Sequence, residues 1–270
     1  MKRTVFFLFA LWFIIPQSVF AWGKTGHRIV GEIAQRHLTK KAQKNIERVL
    51  GSEDLAMASN WMDFIKSDRN YRFMYTWHFV SIPDGKRYED ITPPASGDVI
   101  GTIERLTEEL KTGEYTHEDE RFVIRCLIHL IGDIHQPLHV GRAEDAGGNR
   151  VKLGWFRSKS NLHRVWDSEL IDHQQLSYTE YATYLDHAPK DTIKVWQDAT
   201  VRDWAYESME YRKLTYDLPP DSTLRFRYNF DHKAVLEKRL NQAGIRLAGI
   251  LNMVYGKSKI AWKKELAMKP

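Results

Sequence analysis

The chain has 270 residues, enough for one large domain or two small ones, and 43% of them are hydrophobic, enough to bury a sizeable core. Its formal net charge is +5, and it falls to +3 when residues 1–21 are set aside, because they contribute Lys2 and Arg3 and no acid to the 40 basic and 35 acidic side chains. That balance excludes a polybasic nucleic-acid binder, and a single cysteine, Cys126, excludes an intramolecular disulfide.

Residues 1–21 have the three parts of a secretory signal peptide. Lys2 and Arg3 form a positive start, Val5 to Ile15 an apolar stretch, and Val19-Phe20-Ala21 a site for cleavage before Trp22. Pro16 and Gln17 interrupt the apolar run, which argues against an uncleaved anchor. No later stretch reaches the ~18 apolar residues that a transmembrane helix needs. The expected location is secreted or periplasmic, with no membrane association after cleavage.

The remainder opens Trp22-Gly-Lys-Thr-Gly-His27. Ile29, Ile33 and Ala34 recur at helical spacing and predict a helix to about Leu38, with His27 in its first turn. Thr39 can cap a second helix ending near Gly51, and a third is expected over Leu55 to Lys66, carrying Trp61 and Asp63. Tyr71 to Tyr75 reads as irregular and leads into Trp77-His78-Phe79. Pro83-Asp84-Gly85 marks a turn and Pro93-Pro94 a loop. Ile100, Ile103, Leu106 and Leu110 give an amphipathic helix. Phe122, Cys126, Leu127 and Leu130 give the apolar side of the next, which puts Cys126 in the core. Residues 141–150 are glycine-rich, Val151 to Trp155 alternates like a strand, and the Gly147-Gly148 pair before it suits a hairpin. Asn161 to Asp167 starts another helical pattern, and further helices are expected around 178–186, 191–211 and 231–255. With no repeat, linker or composition break, the expected fold is all-α: one compact multi-helix domain over 22–270, with a short β-hairpin near 151–157 and a basic peripheral tail over 256–270.

The chemistry is concentrated in His129-Leu-Ile-Gly-Asp133-Ile-His-Gln-Pro-Leu-His139. At ~100° per residue, His129 and Asp133 differ by ~40° and leave one face of a helix. Pro137 removes a backbone donor and should end that helix before His139, which can then aim elsewhere. His163 and Asp167 repeat the same spacing. Zinc takes imidazole nitrogen and carboxylate oxygen, usually with four ligands. Three such side chains in eleven residues can anchor one site or share two. His27, Asp63 and His78 bring the candidates to eight, more than one ion needs, so a cluster of two or three ions is expected. Taken singly, each of the three has an ordinary reading: His27 as a helix-start residue, Asp63 as an ion-pair partner, His78 as a hydrogen-bonded core histidine. His135 lies at ~240° from His129 and is expected to face away in a structural role. His37, His117, His173, His187 and His232 are assigned none.

At this point the chain resembles the zinc-dependent single-strand-specific nucleases of the S-one/P-one type, over nearly all of 22–257. The resemblance rests on Trp22-Gly-Lys-Thr-Gly-His27, Ala58-Ser-Asn-Trp61-Met-Asp63, Trp77-His78-Phe79, the His129–His139 stretch, Gly147-Gly-Asn149 and Asn161-Leu-His163-Arg-Val-Trp-Asp167. Trp204-Ala-Tyr-Glu207-Ser and Arg246-Leu-Ala-Gly-Ile-Leu-Asn252 extend it. It implies a mainly helical fold around three zinc ions. Asp63, His78, His129 and Asp133 would hold one. His139, His163 and Asp167 would hold a second and leave it an open position. His27, a bridging Asp133 and Trp22, through its α-amino nitrogen and carbonyl, would hold the third.

The implied activity is hydrolysis of single-stranded DNA and RNA to 5′-phosphate products, and of 3′-nucleotides, by a monomer. Asp63 would orient or deprotonate the attacking water, and Lys66 would neutralise charge on the phosphate. Phe79 and Asn149 would join Lys66 in binding substrate. One departure concerns base choice: fungal members carry an Asp where this chain has Ser81, so base preference turns on whether Asp84 takes its place. The leader, together with the absence of disulfides and of Asn-x-Ser/Thr sequons, fits a bacterial secreted protein.

Two rivals share parts of this pattern. A zinc-dependent phospholipase C has the same fold and the N-terminal Trp ligand, but here the first His follows Trp22 by five residues and the last ligand is Asp167 rather than Glu. A non-catalytic periplasmic zinc-binding protein explains the ligands but not the open position, Lys66 or Phe79.

Overall fold

Apolar residues at helical spacing close most of the chain into helices in the computed structural model, which describes residues 22–256. The expected signal peptide over 1–21 and the basic tail after Gly256 fall outside the described residues. Helix α1 (Lys24–Arg36) buries Ile29, Val30, Ile33 and Ala34 together with His27. Thr39 caps α2 (Lys40–Leu50) by accepting the Ala42 N–H at 3.2 Å. The helix expected over 55–66 is two short ones, α3 (Leu55–Ala58) and α4 (Trp61–Ile65), broken where Asn60 leaves helical geometry at φ −96°, ψ 0°. Tyr71–Tyr75, read as irregular, lies inside a ten-residue 3₁₀ run from Arg69 to His78, started by Asp68 accepting the Asn70 N–H.

Strand β1 (Val80–Ser81) follows, then α5 (Val99–Thr112) and α6 (Glu120–Ile134). Gln136 is extended (φ −83°, ψ 119°), as the residue before a proline must be, so α6 ends short of Pro137 and His139 sits in a separate 3₁₀ turn. Strand β2 (Val140–Gly141) pairs in parallel with β1 and ties the exit from His78 to the exit from His139.

The hairpin is β3 (Lys152–Trp155) and β4 (Ser158–Asn161), ending four residues later than expected. Its turn is Phe156-Arg157, with Phe156 in the left-handed region at φ +52°, and not Gly147-Gly148. Those glycines turn an earlier loop.

Helices α7 (Leu162–Arg164) and α8 (Leu170–Asp172) run on through a π-turn over Val165–Glu169. After α9 (Tyr178–Leu185), the segment expected as one helix over 191–211 is α10 (Lys190–Asp198) and α11 (Val201–Thr215). Ala199 is extended there, and Thr200 and Asp203 form a capping box that starts the second helix. Strand β5 (Thr223–Leu224) adds to β3 in parallel, and α12 (Phe226–Tyr255) starts five residues earlier than read. Among the described residues, no helix is long and apolar enough to cross a membrane.

The long helix α12 packs along α1 and behind α6. Its core side includes two arginines, Arg239 and Arg246, that are 0% and 1% exposed. Glu207 of α11 accepts from both, at 2.5 Å from Arg239 Nη1 and at 2.6 and 2.7 Å from the two Nη atoms of Arg246. Arg239 Nε also donates to the His135 carbonyl at 3.0 Å, so the network holds the C-terminal end of α6 from behind. His135 donates through Nδ1 to Ile131 O and meets Arg246 through Nε2, facing away from Asp133 as its helical position requires. Cys126 is buried in the core beside Met74.

Removing the anion from a buried pair leaves uncompensated cations, which costs about 3–5 kcal/mol. Glu207→Gln is therefore expected to destabilise the protein by about 3 kcal/mol in denaturant titration at neutral pH. Burial raises the Glu207 pKa, but the two guanidiniums outweigh it and hold the carboxyl below the ordinary range. Its contribution is thus present above the unfolded glutamate pKa of about 4.3 and is lost as pH falls through the lower folded value. The gap between wild type and variant should close in that acid range; a gap under about 1 kcal/mol at neutral pH would refute the account.

Candidate metal centre

Asp133 projects from α6 one turn after His129, and neither side chain is exposed. Its Oδ1 lies 3.3 Å from His27 Nε2 of α1, and its Oδ2 lies 3.0 Å from His78 Nδ1 and 3.3 Å from His129 Nε2. His129 Nε2 is 3.7 Å from Asp63 Oδ1 of α4. On the other side, His163 Nε2 is 3.2 Å and His139 Nε2 is 3.7 Å from the two oxygens of Asp167. Three groups therefore converge: His27, His129 and Asp133; Asp63, His78 and His129; His139, His163 and Asp167. All eight side chains picked out in the sequence belong to them. His37, His117, His173, His187 and His232 belong to none.

Whether the donors fit a metal can be tested on their geometry. Ligands ~2.1 Å from a tetrahedral zinc lie ~3.4 Å from one another. The separations above bracket that edge length. His27 Nε2, Asp133 Oδ1, His139 Nε2 and Asp167 Oδ2 are buried without a well-formed hydrogen bond, an expensive state for polar atoms that a cation would relieve. The tautomers agree. Nδ1 of His129, His139 and His163 each meets a backbone carbonyl, those of Ser59 (2.7 Å), His78 (2.6 Å) and Gly147 (2.6 Å). A carbonyl can only accept, so each Nδ1 carries the proton and each Nε2 offers a lone pair inward.

The field of the pocket favours positive charge. Burial alone would neutralise His139, yet Asp133 and Asp167 outweigh it and hold its pKa up to about 9. His27, with burial and His129 against it, is pushed down to about 4 and stands neutral. Burial raises the Asp63 carboxyl, but His129 and Lys66 outweigh it and keep it ionised; Lys66 Nζ is 2.5 Å from Asp63 Oδ1.

Local breaks in regular structure supply these carbonyls. The interruption between α3 and α4 leaves Ser59 O for His129. Gly147, at φ +60°, presents its carbonyl to His163, and a Cβ there would stand 2.4 Å from Leu138 O. Gly132 is equally constrained: a Cβ would meet His27 Nδ1 at 2.8 Å. The same residue's carbonyl accepts the indole N–H of the fully buried Trp22 at 2.7 Å, which fixes Trp22 against the helix bearing His129 and Asp133. Gln136 was not singled out in the sequence. Its amide donates to Asp167 Oδ1 at 2.6 Å while its carbonyl oxygen accepts Leu138 N–H, so it aims Asp167; the only local signal was its place before Pro137.

Asp63, His163 and Asp167 line a cleft of 870 Å³ together with Asn149. Phe64, 77% exposed, lines it too, while the half-buried Phe79 packs edge-on against Tyr75 and is not among its lining residues. Asp84, the candidate stand-in for an acid at Ser81, is ion-paired to Arg142 at 2.7 Å and to Arg212 at 3.1 Å.

The family model described as S1/P1 Nuclease matches residues 22–256. Endonuclease 3 of Arabidopsis thaliana is 32% identical over 92% of this chain and 94% of its own length. Endonuclease 2 of the same plant is 28% identical over 94% and 98%. Nuclease S1 of Aspergillus oryzae is 27% identical over 89% and 94%. With its donors arranged as described and its length matched almost throughout, the chain belongs to the S1/P1 nuclease family.

Proposed function

We propose that this chain is a zinc-dependent endonuclease that hydrolyses phosphodiester bonds of single-stranded DNA and RNA to 5′-phosphate products and also dephosphorylates 3′-nucleotides. The observation that carries the reading is the convergence of eight side-chain donors at zinc-ligand separations, three of which, Asp63, His163 and Asp167, line an open cleft. We assign Asp63, His78, His129 and Asp133 to one zinc and His139, His163 and Asp167 to a second with an open position. His27, Asp133 and Trp22, through its α-amino nitrogen and carbonyl, are assigned to a third. Zinc so held supplies Lewis acidity toward phosphoryl oxygen and lowers the pKa of water to about 7.

The chain's own groups do the rest. Asp63, ionised and at the cleft, orients the attacking water or takes its proton. Lys66, ion-paired to Asp63, is close enough to offset charge developing on the phosphate. Asn149, which lines the cleft, contacts the substrate; Phe79, expected beside it, packs against Tyr75 outside the cleft lining. A nucleotide reaching these donors must leave its stack, which favours unpaired strands, and stacking on aromatic faces tolerates every base.

Residues 1–21 act as a leader removed before Trp22, for secretion or export to a periplasm. Two observations support this: the family match begins at Trp22, and that residue is buried against α6. Before cleavage the Trp22 nitrogen is a peptide amide; afterwards it is an amine with a pKa of ~7.7–8.0, able to ligate once deprotonated.

Protein beginning at Trp22 is expected to cleave a single-stranded oligonucleotide to 5′-phosphate ends, to stop on chelation, to recover with zinc, and to act far more slowly on the matching duplex. No cleavage by protein shown to hold three zinc ions would overturn the reading. Protein with one Ala left in front of Trp22 is expected to lose one zinc by elemental analysis and most of its activity. Full zinc content and full activity in that variant would sink the assignment of the Trp22 amine.

A further inference from the structure

We infer that the cleft contains a subsite for the nucleotide on the 5′-oxygen side of the scissile phosphate, with Phe64 receiving its base and Lys24 and Arg28 its 3′-phosphate. The inference rests on the nuclease reading and states where the substrate strand runs. Asp63 and Phe64 are neighbours on α4 with opposite fates. Asp63 is 6% exposed and turned into the donor cluster, whereas Phe64 is 77% exposed yet lines the same cleft. A phenyl ring left in water adds nothing to the core, but its face is a stacking surface for any base.

Lys24 and Arg28 stand one helical turn apart on α1, ~6 Å along the axis, and both line this cleft. Arg28 Nε is buried and has no hydrogen-bond partner among the described residues. Its guanidinium is 5.8 Å from the Tyr178 ring. Asn60, immediately before α4, donates from Nδ2 to Lys24 O at 3.3 Å and so fixes the start of α4 against the first turn of α1. The ring and the two cations are thereby held at a set spacing, within one cleft, beside the acids that reach the reacting phosphate.

The test compares zinc-loaded wild type with Phe64→Ala, Phe64→Trp and the Lys24→Gln/Arg28→Gln double variant. Binding is read by anisotropy of a labelled phosphorothioate oligonucleotide, whose phosphates stay charged and resist cleavage. Turnover is read on a cleavable oligonucleotide and on a 3′-mononucleotide, which lacks the nucleotide on the 5′-oxygen side.

Phe64→Ala is expected to lose at least about fivefold in strand affinity and in kcat/KM on the oligonucleotide, with a markedly smaller loss on the mononucleotide; Phe64→Trp should restore both. The double variant should flatten the slope of log affinity against log salt by ~0.7, one phosphate contact's worth. Unchanged strand affinity in Phe64→Ala, or equal losses on the two substrates, would overturn the subsite. Strand binding that depends on Phe64 in a protein that cleaves neither substrate would leave the subsite standing and overturn the nuclease reading instead.

Discussion

A carboxylate with no solvent exposure, surrounded by three imidazoles, is the constraint that organises this protein. Asp133 cannot be buried ionised without compensation, because desolvating a lone charge costs several kcal/mol. Its two oxygens are offered to different partners, Oδ1 toward His27 and Oδ2 toward His78 and His129. One residue therefore couples α1, α6 and the end of the 3₁₀ run, and any cation bound among them completes the compensation. The surrounding structure serves to keep α6 where Asp133 needs it. Trp22 grips the helix through Gly132 O on one side, and Arg239 grips it through His135 O on the other.

The imidazoles are aimed by backbone that is not regular. The carbonyls that lock His129, His139 and His163 belong to Ser59, His78 and Gly147, found at a helix break, at the end of a 3₁₀ run and in a left-handed glycine turn. Inside an α-helix each carbonyl would be used by the ladder; only an interrupted one is left to orient a side chain. The π-turn beneath His163 and Asp167 belongs to the same pattern of local irregularity at a functional site. The two-residue ladder between β1 and β2 then brings the His78 and His139 exits together, so that His139 Nδ1 reaches His78 O.

The cleft is lined by the acids Asp63 and Asp167 together with two cations and an exposed ring, Lys24, Arg28 and Phe64. This local arrangement matters more than net charge, which at +5 over the full sequence is modest. A strand can be held by a few positioned contacts near a cation-binding site without a broadly basic surface.

Much of the site could be read from the chain. The i, i+4 spacing of His129 with Asp133 and of His163 with Asp167 fixes a shared face whatever the tertiary fold, and Pro137 forces a turn before His139. The outward direction of His135 follows from the same periodicity. Long apolar helices such as α5, α6 and the body of α12 were legible for the same reason. The capping box of Thr200 and Asp203 starts a new helix within the segment read as one over 191–211.

What remained hidden depends on contacts between segments far apart in sequence. Gln136 reaches Asp167 across 31 positions, Arg239 reaches Glu207 across 32, and Ser59 receives His129 across 70. The exposure of Phe64 against the partial burial of Phe79, and the capture of Asp84 by Arg142 and Arg212, are set by packing alone. The sequence by itself determined which side chains could ligate and which helix faces carried them, because backbone periodicity is local. Only the tertiary structure decided which donors share a cavity, which carbonyls orient them and which aromatic ring meets the cleft, because those outcomes depend on how the faces pack against one another.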